Sequence, residues 1–437
     1  MNATNRKKTG ERRGTANALK MVVFTILLGA FAGTVVWCFL KAVSVCSVFL
    51  WETMPERTNT KLLLIPVCAA GGALAGFLRK RFGDYPESLD VIMGKVKKDK
   101  YYPYHPMAVM LLCAFLPLIL GASVGPEAGL TGIIAALCYW VGDNVTFAKQ
   151  NADWFSELGE AVTLGQLFHA PLFGILAVEE DPQTAGDSAA DGTGDRAAKV
   201  LPKPLKLVFY GLSTASGFLA AHILTGLFGA AMEGFPSFTG VSTGTMDYVL
   251  VLLYIPAGFL LYGFFEMAEN LSGIAVRHVP AIARETICGI LIAVMGLFLP
   301  IVLFSGEEQM AELMKDYGAY SAVFLIAVCV VKLALTAFCI RFGLKGGHFF
   351  PLIFACVCMG YALAMLVFPD PAEHLVFAAA VVTASTLGAQ LKKPLAVSVL
   401  MLICFPARIM LWVFLSAAVS GQAAAVISKH FRKGDNL

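Results

Sequence analysis

Two glycine-rich stretches, about 220 residues apart, carry the residues best suited to chemistry in this chain. They are Gly121-Ala-Ser-Val-Gly-Pro-Glu127 and Gly343-Leu-Lys-Gly-Gly-His-Phe-Phe-Pro351, and each opens a hydrophobic run. A glycine-rich turn that leads into a helix presents unpaired backbone N–H groups and the positive end of the helix dipole. In a dry membrane interior this arrangement favours an anion. We therefore expect a small-anion site where the two helices start.

The composition places these stretches in a lipid bilayer. Hydrophobic residues make up 58% of the chain and charged residues only 14%, whereas a soluble domain carries about a quarter charged residues. Several apolar runs are too short for a full span of roughly 20 residues, which predicts an all-helical polytopic protein with tilted and re-entrant helices. The runs lie at 19–51, 61–78, 107–121, 129–141, 161–178, 207–229, 249–267, 287–304, 320–340, 351–368, 375–391 and 394–428.

Basic residues cluster outside the apolar runs at 1–18, 79–100 and 429–437. By the positive-inside rule these segments face the cytoplasm, so we expect a multi-pass protein of the plasma membrane with both termini cytoplasmic. The acidic segments 229–247 and 306–318 fit the outer side. The net charge of +3 then reflects orientation in the lipid and indicates no nucleic-acid partner.

A polar segment divides the chain into two membrane halves. After a basic segment at 1–18, the halves are predicted at 19–180 and 207–428, joined by a cytoplasmic loop at 181–206. With a short cytoplasmic tail at 429–437, we expect no soluble regulatory domain. Gly125-Pro126 is followed 45 residues later by Pro171-Leu172, and Phe350-Pro351 is followed 43 residues later by Pro394-Leu395. Such paired interruptions predict an inverted repeat with a site at mid-membrane.

At these residues the chain resembles the CLC family of chloride channels and proton-coupled chloride antiporters. Ser123-Val-Gly-Pro126 is similar to the family's G-[KR]-E-G-P stretch, and Gly346-Gly-His-Phe-Phe-Pro351 to its G-G-x-F-x-P stretch. His169-Ala-Pro-Leu-Phe-Gly-Ile-Leu-Ala-Val-Glu-Glu180 resembles N-A-P-L-A-G-x-L-F-x-x-E-E, and Lys393-Pro-Leu395 resembles the later A-P-L. The resemblance implies a CLC fold, a homodimer with one pathway per subunit, and chloride or another small anion as the substrate.

The resemblance also implies the pathway residues. Those expected to surround the anion are Gly83, Asp84, Ser123, Val124, Gly125, Pro126, Gly347, His348 and Phe349.

Two departures from the family pattern bear on mechanism. Val124 stands where the family has its gating glutamate, and a valine can neither carry a proton nor act as a charged plug. Gly83 stands where the family's anion-contacting serine would be, with Asp84 beside it, and the run at 394–428 holds no tyrosine for the second hydroxyl. Val124 favours passive anion conduction over coupled exchange, and the two missing hydroxyls leave the inner gate without its expected residues.

Two acids keep proton coupling open as the alternative. Glu127 lies three residues after Val124, on nearly the same helix face, and either satisfies the helix N-terminus or serves as a displaced gate that competes with the anion. Glu180 matches the family's internal proton-transfer glutamate, or else is a solvated acid at the membrane surface. An antiporter would use Glu127 as the gate and Glu180 as the inner relay.

His348, Lys332 and a serine motif each allow more than one interpretation. His348 either packs its turn as a neutral ring or senses protons, and Lys332 either snorkels or places a fixed positive charge near the pathway. Gly121-Ala-Ser-Val-Gly125 also satisfies G-x-S-x-G, so an intramembrane serine hydrolase is a minor alternative, although that motif needs a soluble sheet and a histidine base. We expect no enzyme activity, cofactor or metal, and expect the eleven cysteines to be buried and reduced.

Overall fold

The computed structural model describes residues 3–434 except 88–90, 93–94, 96–100, 146–151, 168–174, 176–202, 232–235 and 239. Within these residues the regular structure is helical, with one isolated pair of bridged glycines and no strand. The main helices are α1 Ala3–Val48, α2 Leu64–Phe82, α3 Met107–Ile119, α4 Glu127–Asn144, α5 Ala152–Leu167, α6 Lys203–Phe228, α7 Thr245–Val276, α8 Ala281–Phe298, α9 Glu307–Lys315, α10 Ala322–Phe342, α11 Phe349–Val367, α12 Leu375–Leu391, α13 Pro394–Cys404 and α14 Met410–Gly434.

Seven of the described helical segments are long and apolar enough to cross a membrane. Helices α3 and α12 are apolar but shorter, with 13 and 17 residues, and neither reaches the roughly 20 residues of a full span. The mixture of full-length and short apolar helices confirms the predicted all-α polytopic fold. Nine of the eleven cysteines are buried, whereas Cys38 is exposed and Cys46 is half-buried, so the predicted burial is wrong at these two positions.

The chain forms two compact units that interleave along the sequence. One unit comprises residues 1–40, 92–104 and 134–231, and the other comprises residues 41–91, 105–133 and 232–437. In the first unit, Gln166 of α5 donates a hydrogen bond of 2.7 Å to the carbonyl of Gly217 in α6. This bond satisfies a polar side chain inside an apolar helix pair, where an unpaired amide would be costly.

The second unit holds both glycine-rich stretches. Its helices approach closely through small residues, as membrane helices do when no hydrophobic effect drives their association. Helices α2 and α8 pack in this way, because a Cβ on Gly72 would collide with the carbonyl of Glu285 and a Cβ on Gly289 would collide with that of Cys68. Close backbone packing of this kind holds the turns between helices in fixed positions.

The element boundaries differ from the predicted ones in three places. The apolar run at 394–428 is two helices, α13 and α14, because the chain becomes extended at Phe405 and Pro406. Helix α6 begins at Lys203, within the predicted polar loop, of which 181–202 lies outside the described residues. Helix α14 continues to Gly434, so most of the predicted tail is helical.

Candidate anion site

The two glycine-rich stretches meet in the second unit and pair with each other. Gly125 donates its N–H to the carbonyl of Gly347, and Gly347 donates to the carbonyl of Gly125, both at 2.7 Å. This antiparallel bridge joins the turns that precede α4 and α11, so the two helices begin side by side at Glu127 and Phe349. Their positive dipole ends therefore face one small region.

Glu127 is the charged group that occupies this region. Its Oε1 accepts a hydrogen bond of 3.0 Å from the backbone N–H of Phe349, the first residue of α11. The residue is only 2% exposed, and its Oε2 has no hydrogen-bond partner among the described atoms. A carboxylate of the protein thus lies at the helix N-terminus, in the place where an anion would be stabilised.

Gly347 makes room for this carboxylate. A Cβ on Gly347 would overlap the Cγ, Cδ and Oε1 atoms of Glu127. The second turn therefore needs a residue without a side chain at this position, since any Cβ would force Glu127 away from Phe349.

Several expected anion donors are engaged elsewhere in this conformation. Val124 donates its N–H to the carbonyl of Ala122 at 2.8 Å, while Gly125 and Gly347 donate to each other. The Ser123 hydroxyl is buried and lies 2.8 Å from the Thr336 hydroxyl of α10. The N–H group directed at a bound carboxylate is instead that of Phe349, the first residue of α11. Among the described residues, the partner of the Ser123 hydroxyl is Thr336 and not a histidine, and His169 lies outside those residues.

His348 is positioned as a packing residue. Its Nε2 lies 2.8 Å from the side-chain nitrogen of Gln390, and its ring lies against those of Phe265 and Phe349. These contacts hold the ring against the second glycine-rich turn.

Gly83 and Asp84 lie at the end of α2, beside the second glycine-rich stretch. Gly83 has a φ of 123°, which only glycine adopts readily, and the turn directs Asp84 towards two cations. The Asp84 carboxylate forms ion pairs with Arg79 and with the Nζ of Lys345, the latter at 2.6 Å. Arg79 in turn donates to Glu285 Oε1 at 2.7 Å and to the carbonyl of Gly343 at 2.8 Å. The participation of Arg79, Lys345 and Glu285 in this group could not be predicted from the sequence, because their contacts join distant segments of the chain.

A cavity of about 100 Å³ reaches the first glycine-rich stretch at Val124 and Pro126. It is also lined by Phe304, Ser305 and Glu307. Glu307 is 7% exposed and accepts a hydrogen bond of 3.2 Å from the Ser305 hydroxyl. Burial raises the pKa of Glu307 to about 8, and the nearby Glu127 contributes in the same direction. The sequence placed Glu307 in an exposed acidic segment and gave no sign of this burial.

Lys332 supports the turn next to this cavity. The side chain is fully buried, and its Nζ donates to the carbonyls of Val302, Leu303 and Phe304 at 3.1, 2.9 and 2.6 Å. All three ammonium protons are therefore used by the backbone. This lysine neither snorkels to water nor contacts Glu127.

Glu180, the expected inner relay, lies outside the described residues, as does most of the stretch from His169 to Glu180.

Comparisons with known proteins agree on one family. The family model of the voltage gated chloride channel matches residues 71–425. The "Putative ion-transport protein YfeO" of Shigella boydii serotype 4 is 23% identical over 347 residues, covering 77% of each chain. The protein of the same name from Escherichia coli K12 is 23% identical over 354 residues, with the same coverage.

Solved structures share the fold. A slow cyanobacterial Cl−/H+ antiporter has a TM-score of 0.74 at 18% identity, covering 95% of this chain and 99% of its own. A CLC-type fluoride/proton antiporter has a TM-score of 0.69 at 18% identity, covering 93% and 95%. Together with the match of the family model over most of its length, this likeness shows that the chain belongs to the voltage gated chloride channel, or CLC, family of anion transport proteins.

Proposed function

We propose that the protein carries chloride or another small anion through the junction of the two glycine-rich stretches, and that Glu127 gates this pathway by binding and releasing a proton. The observation that carries the proposal is the buried Glu127 carboxylate on the N–H of Phe349. A carboxylate and a permeant anion compete for the same backbone donors, so the anion gains access when Glu127 leaves. Protonation weakens the hold of those donors on Glu127, because they favour the charged form.

Coupling of protons to anions follows from this competition. When Glu127 takes up a proton and an anion takes its place, the proton and the anion occupy the pathway together. If each can then leave only towards the opposite side of the membrane, the protein is an anion/proton antiporter. The two antiporters with a similar fold are in keeping with this mechanism, and Glu180 is the acid we propose for the other side.

Passive conduction is the second candidate, and Val124 favours it. This valine fills the family's gating position, is fully buried and lines the cavity beside Glu307. An apolar side chain there cannot return a proton to the pathway. Glu127 would then be a helix cap that leaves the pathway when an anion enters, without any transfer of protons.

One experiment separates the candidates. Proteoliposomes are loaded with chloride, the membrane potential is clamped with valinomycin and potassium, and external chloride and pH are recorded together. We expect chloride efflux accompanied by proton uptake, and we expect Glu127→Gln to abolish the proton movement. Glu312→Gln is the matched control, because Glu312 is an exposed acid of α9 and its loss should change neither flux.

Each other outcome has a definite meaning. Chloride efflux without proton movement in the unmodified protein would establish passive conduction and reject the antiporter. Proton movement that persists in Glu127→Gln would remove Glu127 from the mechanism. If neither ion moves, and fluoride tested in the same way does not move either, the anion-transport proposal itself is wrong.

A further inference from the structure

We propose that Arg79 and Lys345 form a second anion-binding site at the approach to the junction, and that Asp84 occupies it as a tethered competitor of the transported anion. The proposal rests on the proposed function, because the ligand of this site is the anion that the junction carries. In this proposal, the Asp84 carboxylate occupies an anion-binding position at the approach, as the Glu127 carboxylate does at the junction.

The first observation is the convergence of two cations on one carboxylate. Arg79 Nη2 and Lys345 Nζ both contact Asp84, one at each of its two oxygens. Their side chains are 13% and 27% exposed, so both cations are largely withdrawn from water while still accessible from it. Two cationic hydrogen-bond donors that converge on one point can bind a small anion as well as a carboxylate.

The second observation is that Arg79 is fixed independently of Asp84. Its Nη1 donates to Glu285 and to the carbonyl of Gly343, so the guanidinium would keep its position if Asp84 moved away. Glu285 is almost fully buried and offsets one of the two positive charges. Without Asp84 the group retains one net positive charge, which is the charge needed to bind a monovalent anion.

The third observation is that Asp84 is the solvated member of the group. Its side chain is 67% exposed, and ion pairs that water reaches contribute little free energy. Asp84 can therefore exchange with an anion from solution. The glycine conformation at position 83 aims Asp84 at the cations, but it leaves the side chain on the solvent side.

The fourth observation connects this site to the junction. Lys345 precedes Phe349, whose N–H holds Glu127, by four residues, and four residues span at most about 14 Å of extended chain. An anion released by Lys345 therefore has a short path to the N–H group that Glu127 occupies. The second site would raise the anion concentration at the approach, as charged funnels do for other substrates.

The test measures exchange of radioactive chloride in proteoliposomes at equal chloride on both sides, over a series of concentrations. Removing the Asp84 charge should free the site, so Asp84→Asn should lower the half-saturating chloride concentration by roughly 3- to 10-fold at low ionic strength. Lys345→Gln should raise it by a similar factor. In the double variant the effect of Asp84→Asn should largely disappear, because the two changes act on one site.

The matched control is Glu312→Gln, which removes an exposed acid of α9. We expect it to leave the half-saturating concentration unchanged. An unchanged value in both Asp84→Asn and a second variant, Asp84→Ser, would overturn the proposal, and so would an equal shift in Glu312→Gln, which would indicate a general surface potential. Complete absence of exchange in the unmodified protein would instead reject the proposed function.

Discussion

At the scale of single residues, the Glu127 carboxylate and a permeant anion compete for the same backbone N–H groups. Glu127 has the advantage of being tethered, but its Oε2 has no hydrogen-bond partner within the described part of the chain, so an anion can compete with it. A buried acid with one unsatisfied oxygen is held less firmly than a fully bonded one. This balance is what a gate requires, because a carboxylate with complete hydrogen bonding would not yield to an anion.

The first prediction concerns the space that holds the gate. Gly347→Ala should displace Glu127 from Phe349, because the new Cβ would overlap the carboxyl group, and overpacking of this kind costs about 1–3 kcal/mol of stability. We expect a lower melting temperature in detergent and altered anion flux. Combining it with Glu127→Ala, which frees the space, should recover most of the lost stability.

The control for this prediction is Gly263→Ala in α7, where a Cβ would meet no atom within 4 Å. It should not lower the melting temperature, since alanine is also the better helix former. Equal destabilisation by Gly347→Ala with and without Glu127 would contradict the proposed overlap.

The second prediction concerns Glu307, whose pKa of about 8 lies above its ordinary value of 4.5. The folded protein therefore binds this proton more tightly than the unfolded chain does. The stabilisation that this tighter proton binding gives the folded protein should be fully present at acidic pH, and it should fall as the pH rises from about 4.5 to about 8. Glu127 and Glu308 are the acids that oppose ionisation of Glu307, and the Ser305 hydroxyl is the group that favours it.

Melting temperatures at pH 5 and pH 8 check this sign. Relative to the unmodified protein, Glu307→Gln should gain stability at pH 8 and change little at pH 5. Glu312→Gln, an exposed acid on the same helix, should show no such dependence. A difference of the same size at both pH values would mean that Glu307 ionises normally.

At the scale of elements, the sequence was informative wherever local chemistry decides the outcome. The Gly-Pro and Gly-Gly sequence patterns correctly predicted that helices begin at Glu127 and Phe349. The predicted apolar run 375–391 coincides with α12. The pairing of Gly125 with Gly347 could not be predicted, because it joins turns more than 200 residues apart. The break at Phe405 was missed, although Pro406 and Arg408 interrupt the apolar run at this point.

The third prediction belongs to the turn between α8 and α9. Lys332 holds this turn through three carbonyls, and Lys332→Met would leave them without a donor in a buried place. At about 1 kcal/mol or more for each unsatisfied group, we expect a loss of roughly 3 kcal/mol. Thermal unfolding in detergent measures this loss, and Lys315→Met, at an exposed position of α9, is the control. An unchanged melting temperature would show that water can replace the ammonium group.

At the scale of the whole molecule, the charge distribution makes a prediction about orientation. By the positive-inside rule, the basic residues at 1–18 and 429–437 predict that both termini lie in the cytoplasm, and the acidic segment at 306–318 would then face outward. In that orientation, the cavity beside Glu307 opens towards the outside. Since the cavity reaches Val124 and Pro126, the outer solution would communicate with the first glycine-rich stretch from this side.

Cysteine labelling in intact cells tests this orientation, which is the fourth prediction. In a Cys38→Ser background, because Cys38 is the exposed native thiol, Asp316→Cys should react with a membrane-impermeant maleimide. Leu437→Cys should react only after the membrane is permeabilised, because the predicted cytoplasmic tail carries it. Labelling of Leu437→Cys in intact cells would mean that the protein has the opposite orientation in the membrane. The Asp84 site would then face outward and the Glu307 cavity inward, and the proton that releases Glu127 would have to come from the cytoplasm.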